Sequence, residues 1–468
     1  MTDAAGGAVN KSTGSLLWDA QISLREAFLA SLAGESSSTT PWVVVMGNEA
    51  GDLDSMASAL AHAHLLNTLE GIRAVPLILT PRAALRLRPE NELALRLTRP
   101  DAGQETLDSL EHVLLCVDDL PVPTESLLAR GVKFALVDHN SLLGPFRTQG
   151  GASEADAVEA SVVAILDHHA DDGAHAAASP RIIDTSAASC ASIVASHWAS
   201  RLPKGATGLG GQPLLPTEVA RLLLSAILID SNGLKAGGKA NDIDWSAIEF
   251  LWPLTGMAAA SESTPAVASI SAADRTAPPN LKELADELNE VKNNVSHLSL
   301  PDLLARDYKA YAIPSPYFQS AAEVQLGLAS IPVALKAILS RETPATPWPT
   351  FVAALDAYAV QEGLTLLGVL TSFKSETKGK RKRELLLYSP AHIAPAEVAG
   401  LWEAVVPRLE ANELLSLGEW KPASLDATLA ADWAGGRGQI WSQKKAEATR
   451  KTVAPVLREI LSGGVSED

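Results

Sequence analysis

From residue 42 to residue 166 the chain alternates short apolar runs with stretches of helical spacing; the runs are 42–46, 75–79, 113–117, 134–137 and 162–166. Runs of that length, rich in Val, Leu and Ile and separated by helices, are the pattern of parallel strands buried on both faces. The expected architecture is therefore α/β, a doubly wound, mainly parallel sheet. Ahead of the first run, Ile22, Leu24, Phe28, Leu29 and Leu32 recur near a 3.6-residue period, so residues 18–33 read as an amphipathic helix whose role is packing. Polar residues follow several runs directly: Asn48, Asp52 and Asp54, then Asp118 and Asp119, then Asp138, then Asp167. Ligands of such sheets bind off the carboxyl ends of the strands, which directs these residues toward one cleft.

Further along, residues 255–280 are rich in Ala, Ser, Thr and Pro and read as a surface insertion. Residues 281–295 have helical spacing with a charged face and suit a bridge between domains. The boundary is expected near Ser299. Beyond it, helices around 320–339 and strands around 364–371 and 384–388 predict a second, smaller α/β domain with a mixed sheet. The expected plan is a disordered start at 1–16, a first domain at 17–298 and a second at 299–468, which suits a chain of 468 residues.

Composition narrows the class. No run reaches the roughly 18 apolar residues that span a bilayer, and the N-terminus has no basic region followed by an apolar stretch, so a soluble protein without a membrane partner is expected. The two cysteines, Cys116 and Cys190, lie in apolar runs, which fits a reducing compartment, the cytoplasm, and no disulfide framework. A net charge of −17 argues against a nucleic-acid partner, which needs clustered Lys and Arg. A small anionic substrate would require a local positive site. A monomer is expected.

Four clusters carry the candidate chemistry. GNEAGDLDS, residues 47–55, follows a strand and opens a helix, so Asn48, Asp52 and Asp54 place several oxygens on one loop, where they can converge on a hard cation. The plainer reading is a turn with Ser55 as helix N-cap. Asp138 in LVDHN follows another strand. Asp167, His168 and His169 in ILDHH follow a third, where the carboxylate can orient an imidazole. Asp230 closes the apolar segment LLSAILID. Any one of these is an ordinary cap or turn; their order and setting together point to a metal site.

Taken in order, the clusters resemble the DHH phosphoesterase superfamily, within it the branch of family II inorganic pyrophosphatases, fungal-type cytosolic exopolyphosphatases and Prune-like proteins. That family's first motif is His-x-x-x-Asp-x-Asp; here Asn48 replaces the His, as in exopolyphosphatase-like and Prune-like members. The resemblance implies a hydrolase that releases terminal orthophosphate from inorganic polyphosphate, or acts on another small phosphoanhydride, in a site between two α/β domains. It implies two divalent cations, Mn²⁺ or Mg²⁺ with Co²⁺ as a further option, held by Asn48, Asp52, Asp54, Asp138, His168 and Asp230, with Asp138 and Asp230 shared. His169 would face the phosphate and the attacking water.

The chain beyond Ser299 resembles the second type of DHH-associated domain, in which Lys309 of LPDLLARDYKAY and Arg450 and Lys451 of TRKTVAPVL match phosphate-contacting residues, with Thr449 in place of Ser. The chemistry agrees, because an Arg fork grips phosphoryl oxygens in pairs and Lys adds a point charge. A solvated helix end is the other reading of TRK. The expected catalytic set is Asp138, His168, His169 and Arg450. Further substrate contacts are expected from Lys235 and from Ser189, at the start of a helix whose amides can hold an anion. Arg383, in the basic group KGKRKR, either extends a positive track for a long polyanion or marks an exposed hairpin tip. The alternatives are an inorganic pyrophosphatase, a Prune-like phosphodiesterase or short-chain polyphosphatase, and a degenerate interaction protein without activity.

Overall fold

The computed structural model describes residues 15–34, 40–99, 113–147, 152–202, 208–209, 212–213, 215–235, 237–257, 279–318, 323–341, 347–375, 379–421 and 434–464. Residues 1–14 of the expected disordered start, 258–278 of the expected insertion and Lys378 of the basic group lie outside that set. The chain divides into two compact units, Met1–Lys292 and Asn293–Asp468.

The first unit is built on five strands: β1 (Val43–Met46), β2 (Ala74–Leu77), β3 (Lys133–Val137), β4 (Val162–Asp167) and β5 (Arg181–Ile183), all parallel, in the order β2-β1-β3-β4-β5. The apolar runs work by alternation. Val43 and Val45 point into a core shared with α2 (Leu53–Glu70), α4 (Cys190–Ala199) and α5 (Thr217–Asp230), the helix α3 (Pro89–Thr98) lying between α2 and α4 in sequence. Val44 and Met46 point the other way, against Phe28 and Leu32 of α1 (Leu16–Leu32). Helices thus cover both faces, and the sheet is doubly wound as expected. From β1 the sheet grows to β2 on one side and to β3 on the other, so the order reverses between β1 and β3. Asn48 and Asp138 leave the carboxyl ends of those two strands, the position where such sheets bind ligands.

Residues 113–117, expected as a strand, make a single parallel bridge instead, Ile78 to Cys116. The chain then turns into a short 3₁₀ helix, Val117–Asp119, because Asp119 folds back to accept from the Cys116 N–H at 2.9 Å and is held there by the Arg82 guanidinium. Both cysteines are free and buried. Among the described residues no helix is long and apolar enough to cross a membrane.

Where α2 packs on α4, His62 is buried and its Nδ1 accepts from the Trp198 indole N–H at 3.1 Å. Burial, with His197 adding to it, presses the His62 pKa down to about 3, and burial presses His64 down to about 4. Both rings are neutral in the fold but charge in the unfolded chain below about pH 6.5, so the unfolded chain binds more protons there. Stability is thus fully present above that pH and is lost as pH falls toward 4, by up to about 1.4 kcal/mol per pH unit for each ring. Between pH 7 and pH 5 the unfolding midpoint of His64→Gln should gain on that of the parent, the difference isolating this ring from the carboxyls that titrate in the same range. A parent-to-variant difference that is equal at the two pH values would contradict the assignment.

The second unit carries six strands: β6 (Tyr308–Pro314), β7 (Glu323–Ile331), β8 (Leu366–Lys374), β9 (Arg381–Tyr388), β10 (Leu417–Glu419) and β11 (Gly438–Gln443), in the order β10-β11-β9-β8-β7-β6. β7 and β8 are parallel and the other pairs antiparallel, so the sheet is mixed. The helix expected around 320–339 is mostly strand: β7 runs to Ile331, and only Leu335–Leu339 is helical. Val324, Leu326 and Leu328 are buried at a period of two, and a Cβ at Gly327 would collide with Tyr308 and Leu364, so close interstrand packing overrides the helical preference of the nearby alanines.

Candidate metal centre and anion site

The loop after β1 is shaped by its glycines. A side chain at Gly51, which has φ +57°, would collide with Thr80, and one at Gly47 with Ser55, so the chain can double back tightly enough to start α2 at once. Asp52, rather than Ser55, is the N-cap: its carboxylate accepts from the Ser55 N–H at 3.1 Å. The Ser55 hydroxyl is thereby released for Asp138, to which it donates at 2.6 Å. Asn91 of α3 braces the same loop by donating to the Gly51 carbonyl at 3.0 Å.

Asp138 is the hub. It is buried, and it sits at φ +61°, a conformation that costs energy for most side chains and that tends to persist where function holds it. Its Oδ2 accepts from the Ser55 hydroxyl and from Asn48 Nδ2 at 2.8 Å; its Oδ1 lies 3.2 Å from His168 Nε2 and 3.7 Å from His169 Nδ1. Asp138, His168 and His169 can offer three ligand atoms within 4.8 Å of one another, a group able to hold a metal ion. Each imidazole is oriented from behind: His168 Nδ1 meets the Ala187 carbonyl at 3.1 Å, and His169 Nδ1 lies 2.9 Å from Asp167. Asp167 is in turn held by Asn140 Nδ2 at 2.6 Å.

Charge is crowded here. Burial, reinforced by Asp138, pushes Asp54 up to about 7; burial and Asp52 do the same to Asp138 despite His168; burial and Asp54 push Asp230 up to about 8. Burial acts against a charged His168, but its hydrogen bond to Asp138 and the Asp54 charge outweigh it and raise the ring to about 10. Buried carboxylates pressed upward beside an imidazole pressed to stay charged are a donor set short of positive charge, and a divalent cation would supply it.

The expected ligands do not all take the same part. His168 lies 3.8 Å from Asp54, and Asp230, the last residue of α5, feels Asp54 and Asp52 electrostatically. Asn48 turns its amide N–H to Asp138 and its carbonyl to the Ala50 N–H at 2.9 Å, so the structure uses it as a brace for Asp138. Ser189, expected on substrate, is fully buried and donates to Asp54 at 2.8 Å, and the Cys190 and Ala191 N–H groups at the start of α4 donate to the same carboxylate at 2.6 and 2.8 Å. The anion held by that helix start is Asp54 itself, so Ser189 has no access to a ligand. Lys235 is exposed just beyond the turn after Asp230.

The remaining expected contacts belong to the second unit. Lys309 is half-buried on β6. Arg450 opens the helix α6 (Arg450–Leu461) and is gripped by a residue that sequence reasoning passed over: Asp307 accepts from Arg450 Nη2 at 2.7 Å through its carboxylate and from Nη1 at 2.8 Å through its carbonyl. Thr449 is the N-cap of α6, and Lys451 is exposed. Arg383 is half-buried, and its Nε donates to the Ala446 carbonyl at 2.6 Å. Asp307 was visible in the sequence only as part of ARDYKAY; its pairing with a residue so far along the chain leaves no local signal.

Residues 42–227 match the family model described as the DHH family, N-terminal domain, and residues 286–460 match the DHHA2 domain. The chain is 28% identical over 439 residues to a Schizosaccharomyces pombe protein named "Putative exopolyphosphatase", covering 91% of this chain and 93% of that one. It is 26% identical over 442 residues to the Bos taurus and Homo sapiens proteins named "Exopolyphosphatase PRUNE1", covering 93% of this chain and 79% of each of those.

Proposed function

Because the chain belongs to the DHH family and joins that domain to a DHHA2 domain, we propose that it is a metal-dependent hydrolase of phosphoanhydride bonds, acting as an exopolyphosphatase on inorganic polyphosphate. The observation that carries this reading is the convergence of Asp138, His168 and His169 at the point where the strand order reverses. The names of the similar proteins support the choice of substrate.

Carboxylate oxygens and imidazole nitrogens suit hard to borderline divalent cations, so the donor set fits Mg²⁺ or Mn²⁺. Asp138, His168, Asp54, Asp52 and Asp230 would hold two such ions, which when bound acidify water and neutralise charge on the transferring phosphoryl group. The residues of this chain do the rest. Asn48 and Ser55 fix the Asp138 carboxylate, Ser189 and the α4 amides fix Asp54, and Asp167 holds the Nδ1 side of His169 so that its other nitrogen is presented to the phosphate. Arg450, Lys309 and Lys451 bind phosphoryl oxygens, the first with its fork already aligned by Asp307. The two cysteines, free and buried, fit a place in the cytoplasm.

The test is phosphate release from long-chain polyphosphate, tripolyphosphate, pyrophosphate and cyclic AMP, with Mg²⁺ or Mn²⁺ and with excess chelator. Turnover of long polyphosphate that stops in chelator is expected. Full turnover in chelator would remove the metal from the reading. Preference for pyrophosphate or for cyclic AMP would replace it by a pyrophosphatase or a phosphodiesterase, and inertness toward all four would leave an interaction protein.

A further inference from the structure

The hairpin of β8 and β9 extends further at its turn end than the strands that flank it. Its pairing continues to Lys374 and Arg381, whereas β7 leaves β8 at Thr371 and β11 leaves β9 at Arg383. The described ends of its two strands therefore extend beyond both flanking strands, with Lys374, Lys380, Arg381 and Lys382 all exposed. Among the described residues none of these four has an acidic partner. Residues 374–383 contain six Lys or Arg and one acid, in a chain whose net charge is −17. At the base of the hairpin, Arg383 ties it to the loop that follows β11 through the Ala446 carbonyl. That loop carries the exposed Lys444 and Lys445 and runs on to Arg450 and Lys451 at the start of α6.

We propose that this projecting hairpin, with Lys444 and Lys445 beside it, is a second anion site that holds the distal part of a long polyphosphate chain; the proposal rests on the exopolyphosphatase reading of Arg450 given above. Arg450 is fixed to Asp307, whose carbonyl accepts from Ser330 of β7 at the β6 edge of the sheet. Level with Ser330 on β9 is Leu385, so Arg381 lies three strands over and four residues further out, about 20 Å away at ~4.8 Å per strand and ~3.4 Å per residue. Three linked phosphoryl groups do not reach across that gap, and a long chain does. Cations set along the path of a polyanion gain by releasing its counterions, so the contribution of this hairpin is sensitive to salt and grows with substrate length.

The experiment replaces the exposed tip, Lys380→Ser with Arg381→Ser and Lys382→Ser, and compares it with the unaltered protein. KM for long-chain polyphosphate should rise at least fivefold and depend less steeply on salt, with kcat and KM for tripolyphosphate unchanged. Equal increases in KM for both substrates would reduce these charges to general attraction, and an unchanged KM for the long chain would remove the contact; either result overturns the proposal. If the unaltered protein turns over neither substrate, the exopolyphosphatase reading is what fails. Equilibrium binding of long-chain polyphosphate to the two proteins then decides the hairpin separately, equal affinities overturning it.

Discussion

Asp138→Asn is expected to lower kcat for polyphosphate about 10³-fold, equivalent to about 4 kcal/mol of barrier, without unfolding the protein. Asparagine tolerates positive φ better than most residues, so the backbone at φ +61° is kept. Its carbonyl can still accept from the Ser55 hydroxyl and Asn48 Nδ2, which now reach Asp138 Oδ2 at 2.6 and 2.8 Å. What disappears is the negative charge that faces His168 at 3.2 Å and that would be shared between cations. Because burial and Asp52 already disfavour that charge, the metal-free variant should unfold at the same temperature as the metal-free parent or above it. Asp230→Asn should behave alike, since burial and Asp54 press that carboxyl upward too. Kinetics and unfolding are to be read together. Near-normal kcat in both variants would mean that neither acid serves a shared cation, and lost activity with a collapsed midpoint would assign Asp138 to the fold alone.

The first sheet was legible because strands buried on both faces leave continuous apolar runs, and four of the five expected runs became strands. The run at 113–117 has the same composition, yet it yields one bridge, because Asp119 and Arg82 turn the chain out of the sheet. β5 was missed because Arg181–Ile183 is too short to show a period. In the second unit a helix was expected around 320–339, while the period-two burial of Val324, Leu326 and Leu328 belongs to a central strand. Local preference lost there to pairing on both sides, which no single segment reveals.

The candidate site was legible as a set of residue types and much less so as a set of roles. Asp138, His168 and His169 come together as their positions after parallel strands imply. Which groups point inward depends on hydrogen bonds across long sequence separations. Asn48 looks like a ligand until its amide is seen spent on Asp138 and Ala50, and Ser189 looks like a substrate contact until Asp54 takes its hydroxyl. Ser55 and Asn140 carry no metal-binding signature of their own, yet they set the aim of Asp138 and of Asp167, the carboxylate whose place in ILDHH already suggested that it orients an imidazole.

Arg450→Ala should cost about 2 to 5 kcal/mol in kcat/KM for polyphosphate, if its guanidinium holds the reacting phosphate where water is excluded. The fork is already aligned, with Asp307 taking one N–H from each terminal nitrogen at 2.7 and 2.8 Å, so little side-chain freedom remains to be lost when phosphate binds. With the arginine in place Asp307 already has 37% of its side chain exposed, so water can solvate it when the arginine is removed. The pair therefore contributes little to the fold, and the unfolding temperature should stay close to that of the parent. Asp307→Asn tests the alignment separately: it keeps Arg450 and its bond to the residue 307 carbonyl but removes the carboxylate, so kcat should fall by about tenfold, near 1.4 kcal/mol, with KM less affected. Lys451→Ala should be milder than either, since that side chain is exposed and free to reorient. The measurements are steady-state kinetics on long-chain polyphosphate and tripolyphosphate for the three variants, beside their unfolding midpoints. An Arg450 variant with unchanged kcat/KM on both substrates would return the start of α6 to the simpler reading, a solvated basic helix end that never meets the substrate.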